Sequence, residues 1–471
     1  DSRQSGSPLI PVTYDEGATR IMTSATAEGY NGNYPGKGIG TPVGIAVLGK
    51  GTVGTEVLRL LSEFSSNLEH RIGGPIEVRG VAVSDVEKHK DAPEVQGLYL
   101  TGDARELVTR DDVDIVVELI GGIDYPRELV LEALKAGKSV VTANKALVAA
   151  HSAELADAAN AAGVDLYYEA AVAAAIPVVG MLRRSLAGDQ VQRISGIVNG
   201  TTNFILDAMA STGADYEEAL AEATRLGYAE ADPTADVEGH DAASKAAILA
   251  SMGFHTRVTF DDVHCEGITK ITADDIDAAK KSGHTIKLLA ICERLVDDAG
   301  NTTGVNARVH PTLVPNEHPL ASVDKSYNAI FVEAEAAGRL MFYGNGAGGA
   351  PTASAVLGDL VGAARNKVHG GRAPAENPYA DYPVVSFDEV TTRYTINMTV
   401  NDRVGVLSDL TARFAKAGIS LSAVRQEESG DEAHLIVVTH AAREQDLNAM
   451  VEQLSGHDDV LAVNSVIRLD S

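Results

Sequence analysis

The sequence predicts an α/β fold in three parts: a parallel sheet flanked by helices, a central α+β region, and a small β-α-β-β-α-β module at the end. An apolar run at residues 43–48 leads into a glycine-rich turn, and a helical pattern follows that turn. Strand-like and helix-like patterns alternate in the stated order over about the last 80 residues, which is typical of a ferredoxin-like module. At 471 residues the chain is also too long for one domain.

The composition excludes several classes of protein. The formal net charge is −27, so the phosphates of a nucleic acid would be repelled over most of the surface, and we expect no nucleic-acid partner. No apolar run approaches the roughly 20 residues that a membrane-spanning helix needs. Cys265 and Cys292 are the only cysteines, and the polar N-terminus lacks the features of a secretory signal. We therefore expect a cytoplasmic protein with no membrane partner.

The glycine-rich turn has the spacing of a dinucleotide-binding motif. Gly49, Gly51 and Gly54 form the pattern G-x-G-x-x-G, with Thr52 and Val53 between the last two glycines. The first glycine allows a tight turn, the second lets a pyrophosphate approach the backbone, and the third lets the helix pack closely on the strand. The helix N-terminus also offers free N–H groups to phosphate oxygens. We therefore predict a Rossmann-type domain that binds NAD or NADP, with a ligand-free glycine turn as the alternative.

The end of the second predicted strand leaves the choice between NAD and NADP open. That strand, residues 76–83, is followed by Asp85, and an acidic residue at this place usually contacts the adenine ribose hydroxyls of NAD. Asp85 lies farther beyond Gly54 than the usual spacing of about 20 residues. Lys88 and Lys90 follow closely and could bind the 2′-phosphate of NADP instead.

A lysine follows a later strand of the same predicted sheet. Residues 114–119 and 138–142 are predicted strands, and the second ends in the polar sequence Thr142-Ala143-Asn144-Lys145. Ligands bind α/β sheets at the carboxyl ends of their strands, so Lys145 is a candidate to face the nicotinamide or the substrate. A solvated lysine at a helix start is the alternative, and residue type alone favours it.

The most polar stretch of the central region leads into a predicted helix at residues 240–254. It runs from Gly227 to Asp241, and Asp241 and Lys245 share one face of that helix. A lysine beside carboxylates at a pocket can donate a proton or stabilise an alkoxide, although a surface salt bridge is the ordinary alternative. The stretch lacks the spacing of an EF-hand calcium loop. Since neither cysteine lies in a nucleophile motif, direct hydride transfer with Lys245 or Lys145 as proton donor is favoured.

Two features near the end of the chain concern its organisation. A second glycine-rich turn, residues 344–352, precedes an apolar helix at 353–364, and this helix either returns to the nucleotide domain or follows a plain turn between domains. Residues 368–383 are rich in Gly, Pro, Asn and Asp, which is typical of a linker. The terminal module carries no catalytic constellation, so we predict a regulatory or oligomerising role.

These motifs together resemble homoserine dehydrogenase. The resemblance covers residues 42–371 almost continuously, and the end of the chain resembles the ACT-type regulatory module of the longer bacterial forms. The segment at 227–245 is highly specific to that family, whereas the glycine motif alone is not. The segments that carry the resemblance are GKGTVG (49–54), TANKALVA (142–149), EAAVAAAIP (169–177), NGTTNFIL (199–206), GYAEADPTADVEGHDAASK (227–245), GAGGAPTASAV (346–356) and NDRVGVL (401–407).

The resemblance implies the reversible reduction of L-aspartate 4-semialdehyde to L-homoserine with NADPH or NADH, within threonine and methionine synthesis. Lys245 would donate the proton to the aldehyde oxygen, and Lys145 would assist beside the nicotinamide. Glu230 and Asp241 would bind the amino-acid end of the substrate, with Asp236 as a weaker match. Besides the motif glycines Gly49 and Gly54, cofactor contacts would come from Gly51, Thr52, Val53, Thr142, Lys145, Gly227 and Gly346.

Further expectations follow from the resemblance alone. A structural sodium ion would bind oxygens, mostly backbone carbonyls, of Glu169, Val172, Ala174 and Ile176, and the family often has glycine at the third of these positions. Gly405 would lie where an amino-acid effector meets the terminal module, which implies feedback by L-threonine, although dimerisation alone also explains the module. The assembly would be a homodimer or homotetramer. A dinucleotide-sensing regulator and an imine-forming amino-acid dehydrogenase are the alternative functions.

The predicted domains follow from the turns and linkers just described. They are a mobile leader (1–40), an NAD(P)-binding Rossmann domain (41–168), a substrate-binding and dimerisation domain (169–345), a helix returning to the nucleotide domain (346–369), a linker (370–390) and an ACT-type regulatory domain (391–471).

Overall fold

The computed structural model describes residues 35–374, 378–429 and 432–470. Most of the predicted leader, residues 1–34, lies outside this part of the chain. The described residues form two main sheets, one parallel with six strands and one mixed with ten strands. No helix among them combines the length and apolarity needed to cross a bilayer.

The first sheet is the predicted Rossmann-type sheet. Its strands lie in the order β3-β2-β1-β4-β5-β6, with all pairs parallel. Successive strands are added on one side of β1 up to β3 and on its other side from β4 onward, and this switch in strand order leaves the ligand-binding crevice between β1 and β4. Every residue of β1 is buried, as the apolar run predicted. The strands are β1 (Val43–Leu48), β2 (Ile76–Ala82), β3 (Leu100–Thr101), β4 (Ile115–Glu118), β5 (Ser139–Thr142) and β6 (Leu166–Tyr167).

Helices cover this sheet and connect its strands. β1 leads directly through the glycine-rich turn into α1, and β5 leads into α6, which begins at Lys145. The helices are α1 (Thr52–Glu63), α2 (Ser65–Ile72), α3 (Val86–His89), α4 (Ala104–Val108), α5 (Asp124–Lys135), α6 (Lys145–Ala162) and α7 (Val178–Gly180).

The central region builds an antiparallel sheet, β12-β11-β7-β9-β10, to which the short β8 adds in parallel alongside β10. Helices pack on one face of this sheet, as expected for an α+β region. The strands are β7 (Val191–Ile197), β8 (His264–Cys265), β9 (His284–Val296), β10 (Thr302–Pro315), β11 (Tyr327–Ala334) and β12 (Gly338–Asn345). The helices are α8 (Gly200–Thr212), α9 (Tyr216–Arg225), α10 (Thr234–Val237), α11 (His240–Phe254) and α12 (Ala273–Lys281).

α11 is buried along almost its whole length, because it packs on β9 and β10 and also against α6 of the Rossmann domain. Its many alanines permit this close approach on several sides. The next helix, α13 (Gly349–His369), packs on α1 and α2. α11 and α13 therefore bring side chains of the central region to the crevice of the nucleotide-binding sheet.

The C-terminal module has the strand order β18-β14-β16-β15 of a ferredoxin-like fold, as predicted. Its last strand also pairs in parallel with β10, through Thr312 with Arg468 and Leu313 with Leu469, so one ten-stranded sheet runs through both regions. The sequence did not predict this shared sheet. The elements are β13 (Thr391–Thr392), β14 (Tyr394–Asn401), α14 (Val406–Lys416), β15 (Leu421–Ser429), β16 (Glu432–Thr439), β17 (Ala442–Arg443), α15 (Glu444–Ser455) and β18 (Val460–Leu469).

The segment before the C-terminal module follows the edge of β10. Val305 donates its N–H to the Pro383 carbonyl at 3.0 Å and accepts from the Val385 N–H at 2.8 Å. Asn306 Nδ2 donates to the Val385 carbonyl at 2.9 Å. A stretch whose composition is typical of a linker is thus held by backbone hydrogen bonds close to the point where the C-terminal module begins.

Candidate active site

A buried carboxylate between two lysines is the centre of the site. Lys245 Nζ lies 2.7 Å from Asp241 Oδ2, and Lys145 Nζ forms an ion pair with Asp241 Oδ1. The side chains of Asp241 and Lys245 are 4% and 9% exposed, whereas that of Lys145 is 50% exposed. The sequence suggested Asp241 and Lys245 as a pair and Lys145 separately, and the structure brings all three together. The Asp241–Lys245 pair is not a surface salt bridge.

Local geometry explains this arrangement. Asp241 and Lys245 are one turn apart at the start of α11, and the helix follows Gly239, whose φ of +84° is in the left-handed region that favours glycine. Lys245 Nζ also donates to the Val198 carbonyl at 2.6 Å, beyond the end of β7. Lys145 is the first residue of α6, and Asn144 caps that helix by accepting the Leu147 N–H at 3.1 Å.

Asn199 joins the acidic groups of this region. Its Nδ2 donates to Asp241 Oδ2 at 2.8 Å and to Asp236 Oδ1 at 2.7 Å, while its Oδ1 caps α8 by accepting the Thr202 N–H at 2.9 Å. In the same motif, Thr201 Oγ1 donates to the Tyr228 carbonyl at 2.7 Å. The sequence indicated no role for Asn199, which lies in the NGTTNFIL segment.

The two ammonium groups control the charge of Asp241. Burial raises the pKa of this carboxyl, but attraction to Lys245 and Lys145 outweighs burial and holds the pKa well below its ordinary value. Asp241 is therefore an anion at neutral pH. It fixes the positions of both ammonium groups, one buried and one half exposed.

Glu118 is a second buried carboxylate, at the carboxyl end of β4. It accepts the Ile120 N–H at 2.8 Å, the Gly121 N–H at 3.4 Å and the Thr142 hydroxyl at 2.6 Å. Burial raises the pKa of Glu118 above its ordinary value, and hydrogen bonds partly offset this. The carboxylate thus ties the loop after β4 to the end of β5, directly before Lys145. Its signal in the sequence is a lone charge in the apolar run IVVELI.

We expect the change Glu118→Gln to lower kcat/KM about tenfold. The amide nitrogen of Gln cannot accept a hydrogen bond, so at least one of the three donors loses its partner, at a cost of about 1–3 kcal/mol. Steady-state kinetics with NADPH would measure the effect. Glu154→Gln, which alters a partly exposed ion pair with Arg127 in the same domain, is the matched control. Equal values of kcat/KM for the two variants would contradict the proposal that Glu118 supports the site through its hydrogen bonds.

The glycine motif has the geometry that its spacing predicts. Gly49 has a φ of +102°, and a Cβ there would lie 2.7 Å from the Leu119 carbonyl oxygen. A Cβ on Gly54 would lie 2.2 Å from the Gly49 carbonyl oxygen. Gly51, the N-cap residue of α1, is exposed, and a Cβ there would have no atom within 4 Å. The third glycine thus permits close packing, and the second leaves the backbone accessible to a ligand.

Two helix N-termini meet at this turn. Gly349, the first residue of α13, approaches α1 so closely that a Cβ would lie 3.0 Å from Thr52 Cγ2. The groove beside them has a volume of about 560 Å³ and is lined by Gly51, Thr52, Thr55, Glu56, Gly349 and Ala350. Free N–H groups and the positive ends of two helix dipoles make this groove suitable for phosphate.

The remaining predicted cofactor and substrate residues differ in their contacts and in their exposure. Thr142 is fully buried, and its hydroxyl donates to the Glu118 carboxylate. Gly346 packs so closely on Asn328 that a Cβ on this glycine would overlap the Asn328 side chain. Gly227 is exposed with a φ of +80°. Glu230 is also exposed, and within the described part of the chain its carboxylate forms no ion pair, so the structure does not join it to the lysine cluster.

The segment that resembles a sodium site is buried and contains an unusual turn. Ala173 and Ala174 have φ values of +54° and +43°, in the left-handed region that few residues other than glycine adopt. The Glu169 carboxylate accepts the N–H groups of Val179 at 2.8 Å and Gly180 at 2.6 Å. No group of three or more His, Cys, Asp or Glu side chains among the described residues is arranged to hold a metal ion.

Neither cysteine has the properties of a nucleophile. Burial raises the pKa of the Cys265 thiol to about 11 and that of Cys292 to about 12. A reactive cysteine requires a thiolate and hence a lowered pKa. The structure agrees with the expectation that the chemistry does not use a covalent thiol intermediate.

Comparison with known proteins then decides the family. The family model for homoserine dehydrogenase matches residues 177–361, the model for its NAD-binding domain matches residues 49–169, and the ACT model matches residues 394–458. A homoserine dehydrogenase of Corynebacterium glutamicum is 71% identical over 451 residues, which are 95% of this chain and all of that relative. The chain belongs to the homoserine dehydrogenase family.

More distant relatives agree. A homoserine dehydrogenase of Mycobacterium tuberculosis is 57% identical over 91% of this chain and 98% of its own. The crystal structure of a homoserine dehydrogenase from Thiobacillus denitrificans has a TM-score of 0.86 at 39% identity, covering 92% of this chain and 99% of that one. A hyperthermophilic archaeal homoserine dehydrogenase in complex with NADPH has a TM-score of 0.57 at 27% identity, over 69% of this chain and 98% of its own.

These comparisons confirm the resemblance to homoserine dehydrogenase, the fold class with its ACT domain, and the assignment as an oxidoreductase that uses a nicotinamide dinucleotide. The roles of the individual site residues are separate proposals.

Proposed function

We propose that this enzyme reversibly reduces L-aspartate 4-semialdehyde to L-homoserine by direct hydride transfer, with Lys245 as the proton donor. The observation that carries the proposal is the Lys145–Asp241–Lys245 cluster beside the crevice of the nucleotide-binding sheet. Asp241 holds Lys245 Nζ in one place, and the Val198 carbonyl fixes it from a second side. An ammonium group restrained in this way can transfer a proton to an aldehyde oxygen without searching for its geometry.

The other residues divide the remaining tasks. A bound NAD(P)H supplies the hydride. Lys145, half exposed at the start of α6, stabilises the negative charge that develops on the aldehyde oxygen. Glu230, Asp236 and Asp241 provide negative charge for the ammonium end of the substrate, and Glu230 is exposed to solvent, where a substrate can reach it. We place the dinucleotide at Gly49, Gly51, Thr52, Val53, Gly54, Thr142, Lys145, Gly227 and Gly346.

We infer that Lys50 favours NADPH over NADH. It is buried in the phosphate-binding turn, where its Nζ lies 3.2 Å from Glu94 Oε2. Asp85 is less suited to the ribose of NAD because its carboxylate caps α3 through the Lys88 N–H at 3.1 Å. Its partner Glu94 follows β2, and the end of the second strand is where Rossmann folds hold the adenine ribose and its 2′-phosphate.

We therefore expect Lys50→Ala to lower kcat/KM for NADPH about tenfold more than for NADH, since a charge-assisted hydrogen bond to phosphate contributes roughly 1.5–3 kcal/mol. The control is Glu94→Gln, which releases Lys50 from its partner and should raise the NADPH to NADH ratio. Equal losses for both cofactors in Lys50→Ala would remove Lys50 from cofactor selection.

We propose a structural sodium ion at Glu169, Val172, Ala174 and Ile176. The left-handed turn at Ala173 and Ala174 is buried and built from backbone, and hard cations prefer oxygen ligands of this kind. The positive φ at Ala174 is a conformation that favours glycine, the residue that the family resemblance implies for this position. A bound ion would stabilise the turn between β6 and α7 without entering the reaction.

We propose that the C-terminal module binds L-threonine near Gly405 and that the enzyme works as a homodimer or homotetramer in the cytoplasm, within threonine and methionine synthesis. Gly405 caps α14 with a φ of +98° and lies at the turn after β14. Titration of the intact enzyme with L-threonine tests the effector, and light scattering tests the assembly. Truncation after residue 384 is a poor test because it removes β18 from β10.

A further inference from the structure

The C-terminal module meets the central region through a cluster that we term the domain junction: His264, Glu266, Phe387, Tyr394, Glu444 and Arg468. Arg468 is buried, and its guanidinium donates to both oxygens of the fully buried Glu444 at 2.8 and 3.0 Å. Its Nη1 reaches across the boundary to Glu266 Oε2 at 2.8 Å. The fork of one arginine therefore joins a carboxylate of the module to a carboxylate of the catalytic region.

Glu266 is held from both sides. Its second oxygen lies 2.7 Å from His264 Nε2, and its backbone N–H donates to the Val309 carbonyl of β10 at 2.8 Å. Phe387 stacks on His264 with 4.0 Å between ring centroids, and the Arg468 guanidinium lies 4.8 Å from the centroid of the Phe387 ring. Burial raises the pKa of Glu266, but the bonds from His264 and Arg468 outweigh burial and hold the pKa below its ordinary value.

The residues beside Glu266 contact the loop that precedes α11, the helix that carries Asp241 and Lys245. Cys265 Sγ donates to the Glu238 carbonyl at 3.3 Å, and a Cβ on Gly239 would lie 3.0 Å from that sulfur. A Cβ on Gly267 would lie 2.2 Å from the Val237 carbonyl oxygen, to which the Ile268 N–H donates at 2.8 Å. Residues 265–268 therefore contact Val237, Glu238 and Gly239 and hold this loop in place, and we term this contact the clamp.

That loop positions the reacting groups. Gly239 is the residue before α11, so Asp241 lies two residues and Lys245 six residues beyond the clamp. Asp236, at the other end of the clamped loop, shares Asn199 with Asp241. A shift of segment 265–268 would therefore move the first turn of α11 relative to Lys145, which belongs to a different domain.

We propose that Glu266 is a positioning residue for the reaction: fixed by Arg468 of the C-terminal module, it holds segment 265–268 against the start of α11 and thereby sets the place of Asp241 and Lys245. The same contact would carry the effect of L-threonine from the C-terminal module to the start of α11, and this regulatory part of the inference rests on the proposed L-threonine effector. β14 connects the proposed effector site with the domain junction. Tyr394 at one end of the strand donates to Glu444, and Asn401 at the other end precedes the turn at Gly405.

The test compares Glu266→Gln with Asp470→Asn. Asp470 also bridges the module and the central region, through an ion pair with Arg193 of β7 at 2.5 Å, but it does not contact segment 265–268. Both variants remove one carboxylate from the same boundary. For Glu266→Gln we expect kcat to fall roughly tenfold with an unchanged KM for NADPH, because small displacements of reacting groups carry costs of this size. Asp470→Asn should keep the wild-type kcat.

L-threonine titration supplies the second readout. We expect Glu266→Gln to weaken inhibition roughly tenfold, as a lost charge-assisted hydrogen bond would, and Asp470→Asn to respond like the wild type. Thermal unfolding of both variants checks that they fold equally well. If Glu266→Gln matches Asp470→Asn in kcat and in threonine response, the proposal is wrong. If the wild type itself ignores L-threonine, the effector proposal fails, and the kcat comparison alone still decides the role of Glu266.

Discussion

Lys245→Ala is expected to lower kcat about 10²- to 10⁴-fold, the range for loss of a positioned general acid. Lys245 is the one buried ammonium group of the cluster, and its contacts to Asp241 and the Val198 carbonyl leave it a single position. Lys245 does not line the groove beside Gly51, so the Kd for NADPH should remain within about twofold. Stopped-flow absorbance and a fluorescence titration would measure the two quantities.

Two variants control this result. Lys245→Arg keeps the positive charge, but a guanidinium does not release its proton at neutral pH, so activity should stay low. Lys416→Ala removes an exposed lysine of α14 and should leave kcat unchanged. A Lys245→Ala enzyme with near-wild-type kcat would exclude Lys245 as the proton donor.

Asp241→Asn is expected to lower kcat about 10²-fold and to reduce the free energy of unfolding by about 3 kcal/mol, because removal of one partner leaves a buried charge uncompensated. Without the anion, Lys245 and Lys145 would repel each other, and neither would keep its position. Lys145 is half exposed and contributes little to the loss of stability, so Lys245 accounts for most of it. Chemical denaturation and steady-state kinetics would measure both effects.

The stability difference should depend on pH in a defined direction. The pKa of Asp241 is lowered in the folded protein, so its contribution is complete above the ordinary aspartate value of about 3.9 and is lost as the pH falls toward the lower folded value. Asp236→Asn is the control, since Asp236 accepts a hydrogen bond from Asn199 but forms no ion pair in the described structure. Equal losses of unfolding free energy in the two Asn variants would contradict the account of Asp241 as a buried anion that stabilises two ammonium groups.

Elements with strong periodicity were predictable from the sequence. The predicted boundaries of α11 agree with the structure, and β1, β4 and β5 lie where their apolar runs indicated. β9 and β12 were not predicted. β9 carries Lys287 inside its apolar run, and only the fold supplies the carbonyl of Val323 that accepts from this buried ammonium at 2.6 Å. β12 contains an apolar run of only four residues, 340–343, between glycines, and periodicity cannot assign such a short run to a strand.

The site was predictable as residue types but not as an arrangement. Asp241 and Lys245 are four residues apart, so their contact follows from helix geometry. Lys145 is 96 positions from Asp241, and no periodicity reports a contact across that distance. Asn199, Glu118 and the pairing of β18 with β10 also depend on tertiary structure. Each involves groups whose partners lie on other strands or helices.

The most direct test of the whole account is NADPH oxidation with two aldehydes, L-aspartate 4-semialdehyde and succinate semialdehyde, which lacks the α-ammonium group. The proposed site provides carboxylates for that ammonium and a proton for the aldehyde oxygen. We therefore expect rapid oxidation with the first aldehyde and a kcat/KM about 10²-fold lower with the second, because the second lacks the charge-assisted contacts between the ammonium group and these carboxylates. Equal rates for both aldehydes, or no turnover of the first, would contradict the account.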